Sequence, residues 1–173
     1  MRSIREMRVV LIALGCALLW SGVARAQDVT EGELNAEMRF QGGQYVFHHD
    51  WQVETGDVTC DGFQDKVAGY VSHDNPDGTS FLMVVVTHEK GELISEAVLP
   101  FFDSGDQMGL CGDGNPPPKI SLEQFTEQEV REMTGIDGAC PVAIILEDGM
   151  CDLHYYFWVP DWEEDRKLVF FRN

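Results

Sequence analysis

Basic residues are scarce in this chain: twelve Lys and Arg stand against thirty Asp and Glu, a formal net charge of −18. A field of that sign repels nucleic acid and anionic lipid, which removes both as partners. No C-x-x-C pair occurs, which argues against zinc-ribbon and thioredoxin-like chemistry. There is no G-x-S-x-G elbow, no phosphate-cradling glycine-rich motif and no H-x-x-x-H spacing. The usual marks of a serine hydrolase, a nucleotide-binding protein and a zinc hydrolase are therefore missing. Carboxylates are too abundant here for any pair to single out a glycosidase. The sequence thus reads as that of a non-enzymatic protein. It also lacks low-complexity tracts and any sign of a second domain.

The start of the chain reads as a targeting segment. Arg2, Arg5 and Arg8 precede an apolar run from Val9 to Leu19, and Ala24-Arg25-Ala26 forms a small-x-small cleavage site before Gln27. The apolar run is too short for a spanning helix and is followed closely by a processing signal. Cys16 after Leu14-Gly15 hints at a lipoprotein site, but Ala13 is small for one, and cleavage before Gln27 is the preferred reading. Residues 1–26 are then a signal peptide, and 27–173 form one exported domain, periplasmic or secreted. Those 147 residues suffice for a genuine core. They keep eight basic and 29 acidic residues, a net charge of −21. Such a charge suits a cation or a basic protein partner, although it also serves plain solubility.

Four cysteines remain: Cys60, Cys111, Cys140 and Cys151. An even number in an exported chain implies two disulfides. If Asp148-Gly149 centres a tight hairpin, Cys151 lies opposite Leu146, with Cys140 six residues further along that strand. At about 3.3 Å per residue the two are roughly 20 Å apart, too far to bridge. Cys60 is then expected to join Cys140 or Cys151, with Cys111 taking the other.

Hydrophobic patterning is mostly that of strands. Tyr45, Phe47, His49, Trp51 and Val53 alternate with mainly polar neighbours, which is strand periodicity. Val67–Ser72, Ser80–His88 and Leu93–Leu99 read as an antiparallel meander, with Asn75-Pro76-Asp77-Gly78 as a turn. Phe81–Val86 is a continuous apolar run, so that strand is expected to be covered on both faces. Phe101–Pro118 is a long irregular segment, after which Ile120–Leu122 briefly resumes pairing. Thr126-x-x-Glu129 is a capping box and Gly135 a natural stop, which places a short helix near 126–134. Val142–Leu146, Leu153–Val159 and Lys167–Phe171 read as three further strands. Gln27–Gln41 is either a short amphipathic helix or a loose lead-in. The expected fold is α+β, mostly β: an antiparallel sheet of about six to seven strands, one short helix and two disulfides.

The run Asp57-Val58-Thr59-Cys60-Asp61-Gly62-Phe63-Gln64-Asp65 stands out. It offers oxygens from Asp57, Thr59, Asp61 and Asp65, and from the Phe63 backbone, with Gly62 free to turn. Ca²⁺ requires several oxygens at about 2.3–2.6 Å. The run resembles the D-x-D-x-D-G-x-x-D calcium loops of FG-GAP and VCBS-like repeat proteins. That resemblance covers nine residues and the strand behind them, and it implies a structural Ca²⁺ rather than an active site. Thr59 departs from the pattern by replacing a carboxylate. Ala68 stands where an EF-hand would carry its bidentate Glu. The alternative is a polar Asp-Gly turn with no ion. A weaker echo, Asp148-Gly149-Met150-Cys151-Asp152, reads as a hairpin corner of similar build without the ligands.

His48-His49-Asp50 would place the two imidazoles on opposite faces of a strand, and His73, His88 and His154 are scattered. They read as structural or surface histidines. Tyr155 and Phe157 should face one way, and His154, Tyr156 and Trp158 the other. Both faces read as covered; the sharper alternative makes Tyr156, Trp158 and Trp162 an exposed ligand platform. The functional expectation is an exported acidic binding or structural domain. A secreted inhibitor of a basic enzyme such as lysozyme is the alternative, and a small extracytoplasmic hydrolase comes third.

Overall fold

A computed structural model describes residues 27–42, 51–73, 77–103, 109–151, 153–162 and 166–172. The expected signal peptide 1–26, Tyr45, Phe47, His48, His49, Asp50, the Asn75-Pro76 part of the expected turn and Asp152 lie outside the described residues. Within them the order is α1 (Glu31–Gly42), β1 (Gln52–Gly56), β2 (Asp65–Ser72), β3 (Ser80–Glu89), β4 (Glu92–Val98), β5 (Lys119–Gln124), α2 (Glu127–Thr134), β6 (Val142–Glu147), β7 (His154–Trp158) and β8 (Leu168–Arg172). No helix among them is long and apolar enough to cross a membrane.

The strands form two antiparallel sheets of four, β1-β2-β3-β4 and β5-β6-β7-β8. This corrects the expectation of one sheet of six to seven strands. Each sheet is a meander, and the irregular segment between β4 and β5 carries the chain from one to the other. Local periodicity fixes which residues share a face, but it does not say that pairing stops at Val98 and starts afresh at Lys119.

The alternation of side chains assigns the layers. Val67, Val71, Phe81, Met83 and Val85 of the first sheet meet Ile120, Ile144, Leu146, Tyr156 and Trp158 of the second, forming the core between the sheets. The opposite face of the first sheet, with Ala68, Tyr70, Leu82, Val84 and Val86, is covered by Leu34 and Met38 of α1. On the far side of the second sheet, Ala143, Ile145 and Phe157 pack under Val130 of α2. The order of layers is therefore helix, sheet, sheet, helix, and β3 is buried on both faces as its apolar run requires.

Each helix begins in a capping box. Thr126 Oγ1 accepts from the Glu129 amide at 3.2 Å, and the Glu129 carboxylate accepts from the Thr126 amide at 2.8 Å. Gly135 ends α2 at φ 72°, a left-handed conformation that glycine enters without steric penalty. Thr30 and Glu33 make the same reciprocal pair before α1, at 3.3 and 2.8 Å. Leu34 and Met38, four residues apart, lie on one helical face and are fully buried. Burying each contributes roughly 1.5–3 kcal/mol.

Two disulfides staple the sandwich. Cys60 joins Cys140 across a Cα–Cα distance of 5.5 Å, and Cys111 joins Cys151 across 5.8 Å. No bridge links Cys140 to Cys151, as the strand argument requires. The register behind that argument needs correction, however. Leu146 pairs with His154 rather than with Cys151, so 148–153 is a wider loop than a two-residue turn. The Asp148 carboxylate is the cause: it gathers the amides of Met150 and Cys151 and opens the corner.

Candidate functional site

The loop 57–64 between β1 and β2 is built by its own carboxylates. Asp65 is 1% exposed and opens β2. Its Oδ2 accepts the Val58 amide at 2.8 Å, the Thr59 amide at 3.0 Å and the Thr59 hydroxyl at 3.1 Å. Asp57 accepts the Asp61 and Gly62 amides at 3.1 and 3.0 Å, and Asp61 accepts the Phe63 amide at 2.9 Å. Asp28, ahead of α1, accepts the Gln64 amide at 2.9 Å and ties the loop to the helix layer. Burial pushes the Asp65 carboxyl above its ordinary range, partly offset by the hydrogen bonds from the Thr59 amide and hydroxyl.

Four of the five residues expected to hold a cation therefore sit in this loop and the fifth, Asp65, at the strand that closes it, and their four oxygen-bearing side chains are engaged with one another or with loop amides. The carboxylates of Asp57, Asp61 and Asp65 satisfy backbone amides, and Thr59 is a donor to Asp65. Among the described residues, ligand atoms of three or more His, Cys, Asp or Glu gather within 4.8 Å only at Cys111, Asp148 and Cys151. The Asp148 corner does repeat the build of the first loop: a carboxylate holds backbone amides beside a disulfide cysteine.

Three surface concavities meet at the 57–61 segment. One, about 660 Å³, runs from Thr59 and Cys60 to Glu127, Arg131 and Asp137 at α2. A second, about 230 Å³, lies between Thr59, Asp61, Lys90, Ile94, Trp158 and Pro160. The third, about 380 Å³, lies between Asp57, Cys60, Leu122 and Glu123. Asp61, Glu89, Glu123, Glu127 and Asp137 are exposed around them, against Lys90 and Arg131. The end of the sandwich carrying loop 57–64 is thus concave and acidic.

The remaining candidates are placed elsewhere. Tyr156 is fully buried and Trp158 is 4% exposed, both between the sheets, while Tyr155 and Phe157 face the α2 layer. Both faces of β7 are covered, so Tyr156 and Trp158 offer no open platform, and Trp162 alone of the three is exposed. His88 is buried, its Nδ1 3.0 Å from the Gln27 carbonyl and its Nε2 3.2 Å from Glu33. It anchors the segment before α1. His154 stacks edge-on to Phe170 at 5.2 Å in the core. Sequence reasoning missed the second capping box, for which Thr30-x-x-Glu33 was the available signal.

Comparison with protein-family models, with curated proteins and with solved structures returns no match.

Proposed function

We propose that this chain is an exported acidic binding domain whose working surface is the concave end built around loop 57–64. The observation that carries this reading is the convergence of three concavities on Thr59–Asp61, rimmed mainly by carboxylates. A basic protein is the partner that this rim and the overall charge suit, since complementary charge steers encounter and fixes orientation. Two disulfides fit a chain working outside the reducing cytoplasm, in the periplasm or beyond it. The loop serves as a hydrogen-bonded clasp that holds the rim in place. Calcium at Asp57, Thr59, Asp61, Phe63 and Asp65 is a second reading, favoured by the spacing of those oxygens.

The test is binding to a panel of cationic proteins, lysozyme among them, across a salt series. The double variant Asp61→Lys/Glu127→Lys should weaken binding at least tenfold, and Glu147→Lys at the other end of β6 should not. Equal losses in the two variants, or no salt-sensitive binding to any member, overturn the reading. Loss of the partner's activity on binding would identify the domain as an inhibitor.

A further inference from the structure

We propose that the Cys111–Asp148–Cys151 corner is a thiol-gated zinc site, in which the disulfide and a bound Zn²⁺ are alternative states. The two sulfurs and an Asp148 oxygen lie within 4.8 Å of one another. Asp148 Oδ2 accepts the Cys111 amide at 2.8 Å, and Oδ1 accepts the Met150 and Cys151 amides, each at 2.8 Å. The backbones of both cysteines are therefore held by the carboxylate as well as by the bridge. When the bridge opens, the two thiols stay beside each other.

The donor set fits the ion. A carboxylate has about four acceptor positions. Three are occupied here, which leaves one on Oδ2 for a metal. Zn²⁺ takes thiolate sulfur at about 2.3 Å and carboxylate oxygen at about 2.0–2.2 Å in a tetrahedral arrangement. The corner supplies two sulfurs and one oxygen and leaves the fourth position to water. Cys111 and Cys151 are half-buried, so both a reductant and an ion can reach them. The other bridge, with Cys60 exposed and Cys140 3% exposed, differs in its surroundings: among the described residues no carboxylate joins that pair.

The chemistry balances with a small thiol as reductant. Two RSH reduce the bridge, giving two cysteine thiols and RSSR. Zn²⁺ then displaces the two thiol protons and binds both thiolates together with the Asp148 carboxylate. In the oxidised state the sulfurs have no charge to offer and the ion does not bind.

The experiment uses the full domain, reduced with a phosphine under anaerobic native conditions and then freed of reductant, with Co²⁺ as the optical probe. One Co²⁺ per chain should bind with a thiolate-to-metal charge-transfer band, and Zn²⁺ should displace it with release of two protons per ion from the metal-free reduced chain. The oxidised protein should show no band. Cys111→Ser/Cys151→Ser should abolish the band, Cys60→Ser/Cys140→Ser should keep it, and Asp148→Asn should weaken binding about tenfold or more. Circular dichroism of the reduced chain should retain its β signature. A reduced chain that has unfolded, a band that survives Cys111→Ser/Cys151→Ser, or equal binding by oxidised and reduced protein would each overturn the proposal.

Discussion

Gln52 and Glu96 join the two sheets from opposite edges of the first, each substituting a side chain for a missing strand. On β1, Gln52 donates to the Pro118 carbonyl and accepts the Ile120 amide at 3.1 Å, so its carboxamide pairs with β5 as backbone would. On β4, the Glu96 carboxylate accepts the amides of Lys167 and Leu168 at 2.6 and 3.0 Å, at the start of β8. Of the two disulfides, only Cys60–Cys140 likewise ties the first sheet to the second. Glu96→Ala should cost about 2–3 kcal/mol, because it leaves two amides unpaired by a charged acceptor. Gln52→Ala should cost about 1–2 kcal/mol. Urea unfolding midpoints measure both, and Glu96→Gln should fall between native and Ala because it keeps one acceptor.

Acidification should weaken the fold through Glu33 and Asp148. The Thr30 amide and hydroxyl, with His88, hold the Glu33 carboxyl below its ordinary range. Burial raises Asp148, but the amides of Cys151, Cys111 and Met150 and the charge of His154 outweigh it, so the net shift is also downward. A carboxyl lowered in the folded state contributes stability above its unfolded pKa, about 4, and loses that contribution as pH falls through the folded value. Asp65 is shifted the other way by burial. Its contribution is present below the unfolded pKa and lost as pH rises through the folded one, so it blunts the acid loss. Thermal melts from pH 7 to pH 2 should show Glu33→Gln and Asp148→Asn furthest below the native protein at pH 7. The gaps should close by pH 2; gaps of constant size would contradict the assignment.

The legible parts of this fold are those in which one local rule dominates. The apolar run of β3, the alternation in β7 and the Thr126–Glu129 capping box each specify an element by themselves, and each appears where expected. Helix α1 is harder to read, since only Leu34, Met38 and Gly42 of its residues are buried. The division into two sheets was hidden because strand periodicity is identical whether neighbours pair or stack. Loop 57–64 could be located from its spacing, but the pattern does not reveal whether an Asp oxygen meets a cation or an amide. Both uses require the same alternation of oxygens in a tight turn.

Gly69 of β2 leaves space that core side chains of both sheets fill. A Cβ built there would lie 2.6 Å from the Phe81 ring and 2.9 Å from Ile120 Cδ1. Phe81 and Ile120 are buried in the core between the sheets, so neither has room to move aside. Gly69→Ala should destabilise by about 1–3 kcal/mol through overpacking, although alanine suits a strand better than glycine. Gly62→Ala is the contrast. It meets no atom within 4 Å, but φ is +90° there, so its cost would be backbone strain. A combined Gly69→Ala/Phe81→Leu variant should recover part of the loss in thermal melts, which strain at Gly69 would not allow.

Asp65 should be the costliest single residue of the clasp loop. Asp65→Ala removes the shared acceptor of the Val58 and Thr59 amides at a position 1% exposed. A buried amide left unpaired costs about 1–3 kcal/mol, so a loss of about 3 kcal/mol is expected for the two. Because the loop amides already have carboxylate partners, EDTA should leave the melting temperature unchanged. A rise of about 3–5 °C in 1 mM Ca²⁺ would instead show an ion bound with Kd about 10⁻⁴ M. Abolition of that rise by Asp61→Ala would then place the ion in this loop.

The two disulfides should be nearly equal in worth. Cys60–Cys140 closes a span of 80 residues and Cys111–Cys151 one of 40. Loop-closure entropy grows only with the logarithm of the span, so the two contribute about 4.5 and about 4 kcal/mol. Their structural effects differ. The first ties loop 57–64 to the segment ahead of β6 and so holds the acidic end together. The second ties the segment ahead of β5 to the β6–β7 corner. Peptide mapping without reductant should give Cys60–Cys140 and Cys111–Cys151 as the linked pairs; a Cys140–Cys151 peptide would contradict the register of β6 with β7. Cys60→Ser/Cys140→Ser should reduce binding to a basic partner as well as stability. Cys111→Ser/Cys151→Ser should reduce stability by a similar amount and leave that binding intact, because its corner contributes nothing to the rim around Thr59–Asp61.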